Sequence, residues 1–384
     1  MRPFYLRSVC GIAMALIVLI LSGCNELRTN RIYVKAIGFD YRDGEYIIHV
    51  QILDFSNEAK SESGNIANNK TPIWTGESRG KTLDEATDQL LNTSQERLDF
   101  SHVTSILMSP RALKKISRND MSQLLAEYPE LRLNIWVYGT NLPLNEVFIT
   151  KAFFNSSNTS SLLHSPENVY RQRSAIEPVY LFKLIREMNH PAMSDYVPEI
   201  SVDKSTWKMD FKDSPKMDIT GAHFLQNGEY KGSLSRDQLV GWPWMNPTMR
   251  KWDLNVQEAG KHFGTATFNR TKVKVRYRMN ASNDPVFDVD IHTKAVMSFR
   301  QDVTPLKEAG QAAAKIIEAQ IRTTFRNALD KKVDVYQFTE IYYRKNYRDW
   351  SKRTAKGNRF ILKEDSLGQI RVTVDMQIPG KYKP

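Results

Sequence analysis

The sequence predicts an α+β protein: three mixed α/β domains, their sheets largely antiparallel or mixed and packed with helices, following a lipoprotein signal peptide. Three observations predict it. Two-residue hairpin signals recur, Asp43-Gly44 and Asn227-Gly228, and such turns join antiparallel strands. Strand alternation and helical periodicity are mixed along the chain, without the regular order of a doubly wound sheet. The 384 residues are enough for two or three units, each with its own core.

Composition bounds the class. Apolar residues make up 41% and charged residues 25%, ordinary for a globular chain and wrong for disorder or a collagen-like repeat. A mean hydropathy of −0.48 argues against a polytopic membrane protein. Two cysteines leave little room for a redox or zinc-cluster role.

The N-terminus sets the compartment. Arg2 and Arg7 form a basic start, and Ser8 to Leu21 is an apolar run short of the ~20 residues a spanning helix needs. The run ends in Leu21, Ser22, Gly23 and Cys24, which resembles a bacterial lipobox. That resemblance implies removal of residues 1–23, an S-diacylglyceryl group on Cys24 and further acylation of its freed amine in many bacteria. Cys10 would leave with the signal, so the mature chain has one cysteine and no intramolecular disulfide. One acyl chain binds membranes marginally, whereas two anchor stably. The chain carries net charge +11, and a basic surface is attracted to anionic lipid. Nucleic acid is not expected as a partner, because the chain is exported and tethered and its charges are interspersed.

In the first expected domain, 24–205, a polar tether precedes strands at 33–39 and 45–53, joined by the Asp43-Gly44 turn. Residues 56–72 are polar and read as a surface loop. A short strand at 73–78 leads into a helix at Thr82, where Thr82 and Glu85 fit a capping box. Leu83, Ala86, Leu90, Leu91 and Leu98 form its apolar stripe. A strand at 103–108, a helix capped by Asn119 and ended by Pro129, a strand at 133–138, and helices at 144–154 and 178–188 complete the unit. The second domain, 206–262, opens on the charged, irregular stretch 206–215. Strands at 219–225 and 229–234 follow, then a Ser235/Gln238 capping box before a short helix, and Trp242, Trp244 and Trp252. These tryptophans read as core or an inter-domain contact rather than a sugar platform. In the third domain, 263–384, strands at 272–279 and 286–299 precede a long helix, with Thr304 as cap and Pro305 in its favoured first position. Leu306, Ala309, Ala313, Ile316, Ile317, Ile321, Phe325 and Leu329 mark its buried stripe. A helix at 335–347 and a strand at 370–378 close the chain.

Chemical motifs are few. Gly76 to Thr82 looks like a phosphate loop, but three residues rather than four separate Gly76 from Gly80; a strand end, a turn and a helix cap explain it. The seven histidines (His49, His102, His164, His190, His223, His262 and His292) include no pair three or four apart, so zinc spacing is missing. Asp288, Asp290 and His292 share a strand face. A register pairing Arg278 with Asp288 and Arg276 with Asp290 accounts for them as a charge ladder, each pair contributing ~0.2–1 kcal/mol. No nucleophile elbow occurs. No cofactor and no catalytic residue is nominated; Cys24, as lipid attachment, is the one expected site residue.

Several fragments in order carry a resemblance. Ala36 to Asp40, with Gly38 and Asp40, and then Glu45 to Gln51, resemble opening strands of the form I-G-x-D … V-x-V-Q. Gly76 to Ala86 is similar to G-x-G-K-T-x-x-x-A, and His102 to Ser109 to H-x-x-x-x-x-x-S. Pro129 to Asn134 resembles an Arg-bearing P-E-L-R stretch, and Gly221 to Trp242 resembles A-x-F … L-V-G-W. Asp334 to Trp350 resembles D-x-F-x-F … Y-R-K-x-x-x-x-W, with Tyr343, Arg344, Lys345 and Trp350 in place and Tyr336 where Phe is usual. Asn25 and Glu26 replace the Trp and acidic residue that often follow the lipidated cysteine. Together these resemble the Ger(x)C family, the lipoprotein subunit of spore nutrient germinant receptors.

The resemblance implies a non-enzymatic subunit, lipid-anchored on the outer face of the spore inner membrane. It would assemble with polytopic A and B subunits and support receptor assembly or signalling. The alternative is a solute-binding lipoprotein of a membrane transporter, which needs a cleft between two comparable lobes. A third reading, a cell-wall hydrolase, lacks any motif.

Overall fold

The computed structural model describes residues 31–53, 72–153, 158–300 and 305–378. Cys24, the signal, the loop expected at 56–72 (all but Pro72) and Thr304, expected as a cap, lie outside the described residues, and Pro305 stands at the N-cap of the helix Leu306–Asp330 rather than at its first position. The fold is α+β with mixed sheets.

The first sheet starts with β1 (Arg31–Arg42) and β2 (Glu45–Leu53). Their turn is the Asp43-Gly44 pair, both at positive φ of 54° and 81°, as a primed hairpin turn demands. β3 (Ile73–Gly80), β4 (Arg97–Asp99), β5 (Ser105–Met108), β6 (Trp136–Gly139), β7 (Val179–Tyr180) and β8 (Ser194–Asp203) follow. β9 (Lys208–Met209) and β10 (Lys212–Asp213) form a separate small hairpin. β11 (Lys216–Gln226) and β12 (Glu229–Ser235) then return to the first sheet. Its main order is β12-β11-β8-β6-β5-β1-β2-β3. At its centre β1, β5, β6 and β8 run parallel, with antiparallel hairpins at both flanks.

Alternation across these strands fills two layers. Ile37, Phe39, Ile106 and Val137 face the main core, under the helices Leu83–Thr93, Pro110–Lys115 and Arg118–Glu127. Ala36, Leu107, Trp136 and Tyr138 face a smaller core closed by the helix Leu144–Phe148, Leu162 and Leu163.

The second sheet is β13 (Trp252–Glu258), β14 (Lys261–Met279), β15 (Pro285–Arg300) and β16 (Leu367–Gln377). β16 is parallel to β15, and the chain between them includes the helix Leu306–Asp330, which packs on this sheet. Ala309, Ala313, Ile317, Ile321 and Phe325 of the expected stripe are buried, while Leu306, Ile316 and Leu329 at its margins are partly buried.

Several expectations change. The segment 206–262, expected as a middle unit, is shared between the sheets. β11 pairs with β8 from Lys216↔Asp203 to Gln226↔Ser194, while β13 pairs with β14. The open edge of β8 needs partners for its backbone groups, and β11 supplies them. The cap of the helix at 118 is Ser117, not Asn119; Ser117 and Asp120 make a reciprocal capping box. The helix expected over 144–154 ends at Phe148. The one expected over 335–347 is two helices, Phe338–Lys345 and Tyr347–Arg353, because Asn346 leaves helical geometry and caps the second.

The charge ladder keeps its partners and changes its register. Arg276 lies opposite Asp288 and Lys274 opposite Asp290, two residues from the expected pairing. Arg276 nevertheless reaches Asp290 at 2.5 Å and Arg278 reaches Asp288 at 2.8 Å. Long side chains span the diagonal of a twisted antiparallel pair. Arg371 of β16 binds Asp290 from the other side at 2.9 Å.

Candidate functional site

The ends of the parallel strands shape a polar cleft of about 510 Å³. Carboxyl ends of parallel strands are where ligands bind in such sheets, because the loops there are free to diverge. Asp40 lies near the carboxyl end of β1, just past its pairing with β5, Ser109 follows β5, and Thr140 and Asn141 follow β6. His49 enters from β2, and Glu77 and Arg79 from β3.

Asp40 is the hub. Arg111 donates to both its carboxylate oxygens, at 3.0 and 2.5 Å. Tyr41 N–H donates to it at 2.8 Å, and the Ser109 hydroxyl donates to it as well. Ser109 also accepts from Ala112 N–H at 3.1 Å, capping the helix Pro110–Lys115. Burial would raise the Asp40 pKa, but the bonds from Arg111, Ser109 and Tyr41 outweigh it and hold the carboxyl below its usual value. Gly38, two residues earlier, lets the helix Leu144–Phe148 approach: an added Cβ would sit 3.1 Å from Leu144 and 3.2 Å from Phe148.

His49 pairs through Nδ1 with Asn145 Oδ1 at 3.1 Å and lies 3.6 Å from Glu77. Burial lowers its pKa, against the opposing pull of Glu77, so it is neutral at pH 7. Arg42 and Arg79 stand half-exposed at the rim, beside Asp40 and Glu77. The site therefore holds paired charges and one neutral imidazole around a polar space. Such a site suits recognition and positioning.

Removing the hub has a measurable cost. Asp40→Ala leaves Ser109, Tyr41 N–H and Arg111 without their acceptor, and is expected to lower stability by about 1–3 kcal/mol in urea titrations. The Arg111 guanidinium is half-exposed, so its share is screened. Because the folded-state pKa is depressed, the contribution of Asp40 is present above the unfolded carboxyl pKa and fades as pH falls through the folded value; the variant lacks this acid-limb slope.

Other sequence-nominated residues have structural roles. Asp288 and Asp290 are held by arginines, and among the described residues no cluster of His, Cys, Asp or Glu is placed to hold a metal. Thr82 caps the helix Leu83–Thr93 through Glu85 N–H, while the Glu85 carboxylate takes Lys81 N–H. Trp242, Trp244 and Trp252 are buried, and Trp244 Nε1 donates to Gln320 Oε1 at 2.7 Å. Trp350 is buried against Tyr343, ring centroids 4.8 Å apart. The Asp40–Ser109–Arg111 cluster was not legible as a site. Its members stand 69 and 71 residues apart, and the signals available were Asp40 and Ser109 inside the family-like fragments.

The chain matches two family descriptions in order: "Spore germination protein N-terminal domain" over residues 28–202 and "Spore germination B3/GerAC like, C-terminal" over 220–380. It is a member of the Ger(x)C family of spore germination proteins. Spore germination protein KC of Bacillus subtilis (strain 168) is 20% identical over 377 residues, covering 93% of this chain and 92% of that protein. The crystal structure of the GerBC protein aligns with a TM-score of 0.48 at 16% identity, over 89% of this chain and 96% of that one. Strands β11 and β12 of the second matched region extend the sheet of the first. Among the described residues no helix is long and apolar enough to cross a membrane.

Proposed function

We propose that this chain is the membrane-anchored, non-enzymatic C subunit of a spore nutrient germinant receptor, acting in receptor assembly or signalling. The observation that carries the reading is the order of parts: a lipobox ending at Cys24, then the two family regions over 28–202 and 220–380. Cys24 carries the S-diacylglycerol, with N-acylation of its amine, and holds the protein on the outer face of the spore inner membrane. The polytopic A and B subunits are its partners. Tethering raises the local concentration beside them, so modest interfaces suffice.

The solute-binding alternative needs a cleft between two lobes. Here the cleft of about 510 Å³ lies at the end of one sheet. The cavity lined by Glu177, Trp242 and Tyr336, where the two sheets meet, is about 180 Å³.

Detergent pull-down of the C-terminally tagged chain from sporulating cells tests the reading. Two stoichiometric polytopic proteins support it; a lone lipoprotein, or one arriving with a transporter permease, overturns it. Cys24→Ala is expected to release the protein from membranes and impair the nutrient response. Unchanged retention and germination in that variant would refute the anchor.

A further inference from the structure

The hairpin β9–β10 stands apart from both sheets and carries an unusual tip. Trp207, Met209 and Phe211 are 50%, 55% and 97% exposed, and Phe153 packs edge-on against Trp207 with ring centroids 4.8 Å apart. The turn residues Asp210 and Phe211 both have positive φ, 49° and 64°. A bulky side chain rarely adopts that conformation, and here it presents the ring to solvent. The base is firm. Asp203 accepts from Ser205 N–H and its hydroxyl, both at 3.0 Å, Lys204 binds Glu146 at 2.6 Å, and Ser214 N–H donates to Trp207 O at 2.8 Å. Lys208 and Lys212 lie on the two strands of the hairpin, Lys208 4.0 Å from Asp213, and at its base the Lys216 ammonium lies 4.8 Å from the Phe153 ring.

We infer that this hairpin is a second membrane contact, with Trp207, Met209 and Phe211 entering the interfacial layer of an anionic bilayer while Lys208, Lys212 and Lys216 meet its headgroups. The inference rests on the membrane location proposed above. Aromatic rings favour the headgroup level, and lysines there are attracted to anionic lipid. Asp210, in the turn beside Phe211, limits the depth to that level. A lipid surface is the better suited occupant, because it takes exposed rings at a turn without a matched shape.

β8, which leads into the hairpin, runs parallel to β1 through β5 and β6, so the hairpin leaves the end of the sheet opposite Arg31.

The test uses the mature chain, residues 24–384, carrying Phe211→Cys, labelled at residue 211 with an environment-sensitive dye once Cys24 is acylated or replaced. It is prepared with Cys24 intact and with Cys24→Ala, on vesicles of phosphatidylcholine alone or with phosphatidylglycerol. The expected result is a blue shift and quenching by nitroxide lipids, stronger with phosphatidylglycerol. In the unlabelled Cys24→Ala chain, Phe211→Ser is expected to reduce retention on phosphatidylglycerol vesicles about tenfold. An unquenched label in both preparations overturns the hairpin contact, whether or not the chain is retained. A blue shift that requires a co-purified membrane protein, and is missing with lipid alone, also overturns it in favour of a protein partner. The anchor is read separately: equal retention with Cys24 intact and with Cys24→Ala on pure phosphatidylcholine defeats the anchor reading and leaves the dye result standing.

Discussion

Replacing Asp195 by asparagine is expected to stabilise the protein by about 2–4 kcal/mol near pH 8, with little effect below pH 4. Asp195 lies on β8 with no solvent exposure, and neither carboxylate oxygen has a hydrogen-bond partner among the described residues. Burial, aided by the nearby Glu187 carboxylate, raises its pKa from 3.8 to about 8. The folded chain thus holds Asp195 neutral at pH 7, whereas the unfolded chain ionises it near 3.8. Its contribution is complete below the unfolded pKa and is lost as pH rises towards 8. Asparagine keeps the shape and stays neutral, so the difference between the two proteins grows across pH 4 to 8. Urea titrations at pH 4, 6 and 8 measure it. A constant difference across that range would mean that Asp195 finds a partner that keeps it ionised.

Gly241→Ala is expected to destabilise the protein by about 3 kcal/mol or more, enough to impair folding at growth temperature. Gly241 sits where the chain after β12 meets the helix Leu306–Asp330. An added Cβ would lie 2.5 Å from Gln320 O and 2.6 Å from Ile321 Cα, both backbone atoms, and 2.7 Å from the Tyr336 hydroxyl. A flexible side chain would move aside, but a helix backbone does not. The same contact includes Gly241 N–H donating to Thr324 Oγ1 at 2.9 Å and Tyr336 OH donating to Ile321 O at 3.0 Å. The Gly221→Ala variant is a useful companion. Its Cβ would lie 2.4 Å from Leu234 O within the β11–β12 pair, away from this junction. A Gly241→Ala protein as stable as the parent would mean that the two sheets slide at this seam.

The junction extends beyond one glycine. Gln337, at a positive φ of 58°, places its amide so that Ser194 N–H donates to Oε1 at 3.0 Å and its Nε2 donates to Ser194 O at 2.6 Å. The Thr339 hydroxyl donates to Ala192 O at 2.9 Å. Side chains from after the long helix thus bond the backbone at the start of β8, and the two matched family regions pack as one body.

Much was legible without coordinates, and the reason is local. The Asp43-Gly44 and Asn227-Gly228 turns need positive φ, which is written in residue type. The stripe from Ala309 to Phe325 follows from a helical repeat. The Arg276, Arg278, Asp288 and Asp290 ladder follows from strand alternation, although its register did not. Residues 194–203 gave no comparable signal. Pro198 interrupts the stretch, and β8 is a strand because β11 supplies a partner along its length. The caps at Ser117 and Asn346 were missed because neighbouring polar residues compete for one cap, and packing chooses between them.

Residue patterns alone were enough for the α+β class, the hairpin turns and the membership of a germination family, since each rests on residues close in the chain or on fragments in order. The packed chain decided that residues 216–235 complete the first sheet, that Asp40, Ser109 and Arg111 meet near one strand end, and that the Asp195 carboxylate is enclosed with no hydrogen-bond partner among the described residues. Those facts depend on strands brought together across tens of residues. Burial and backbone pairing are properties of the whole packed chain, and no short stretch of sequence carries them.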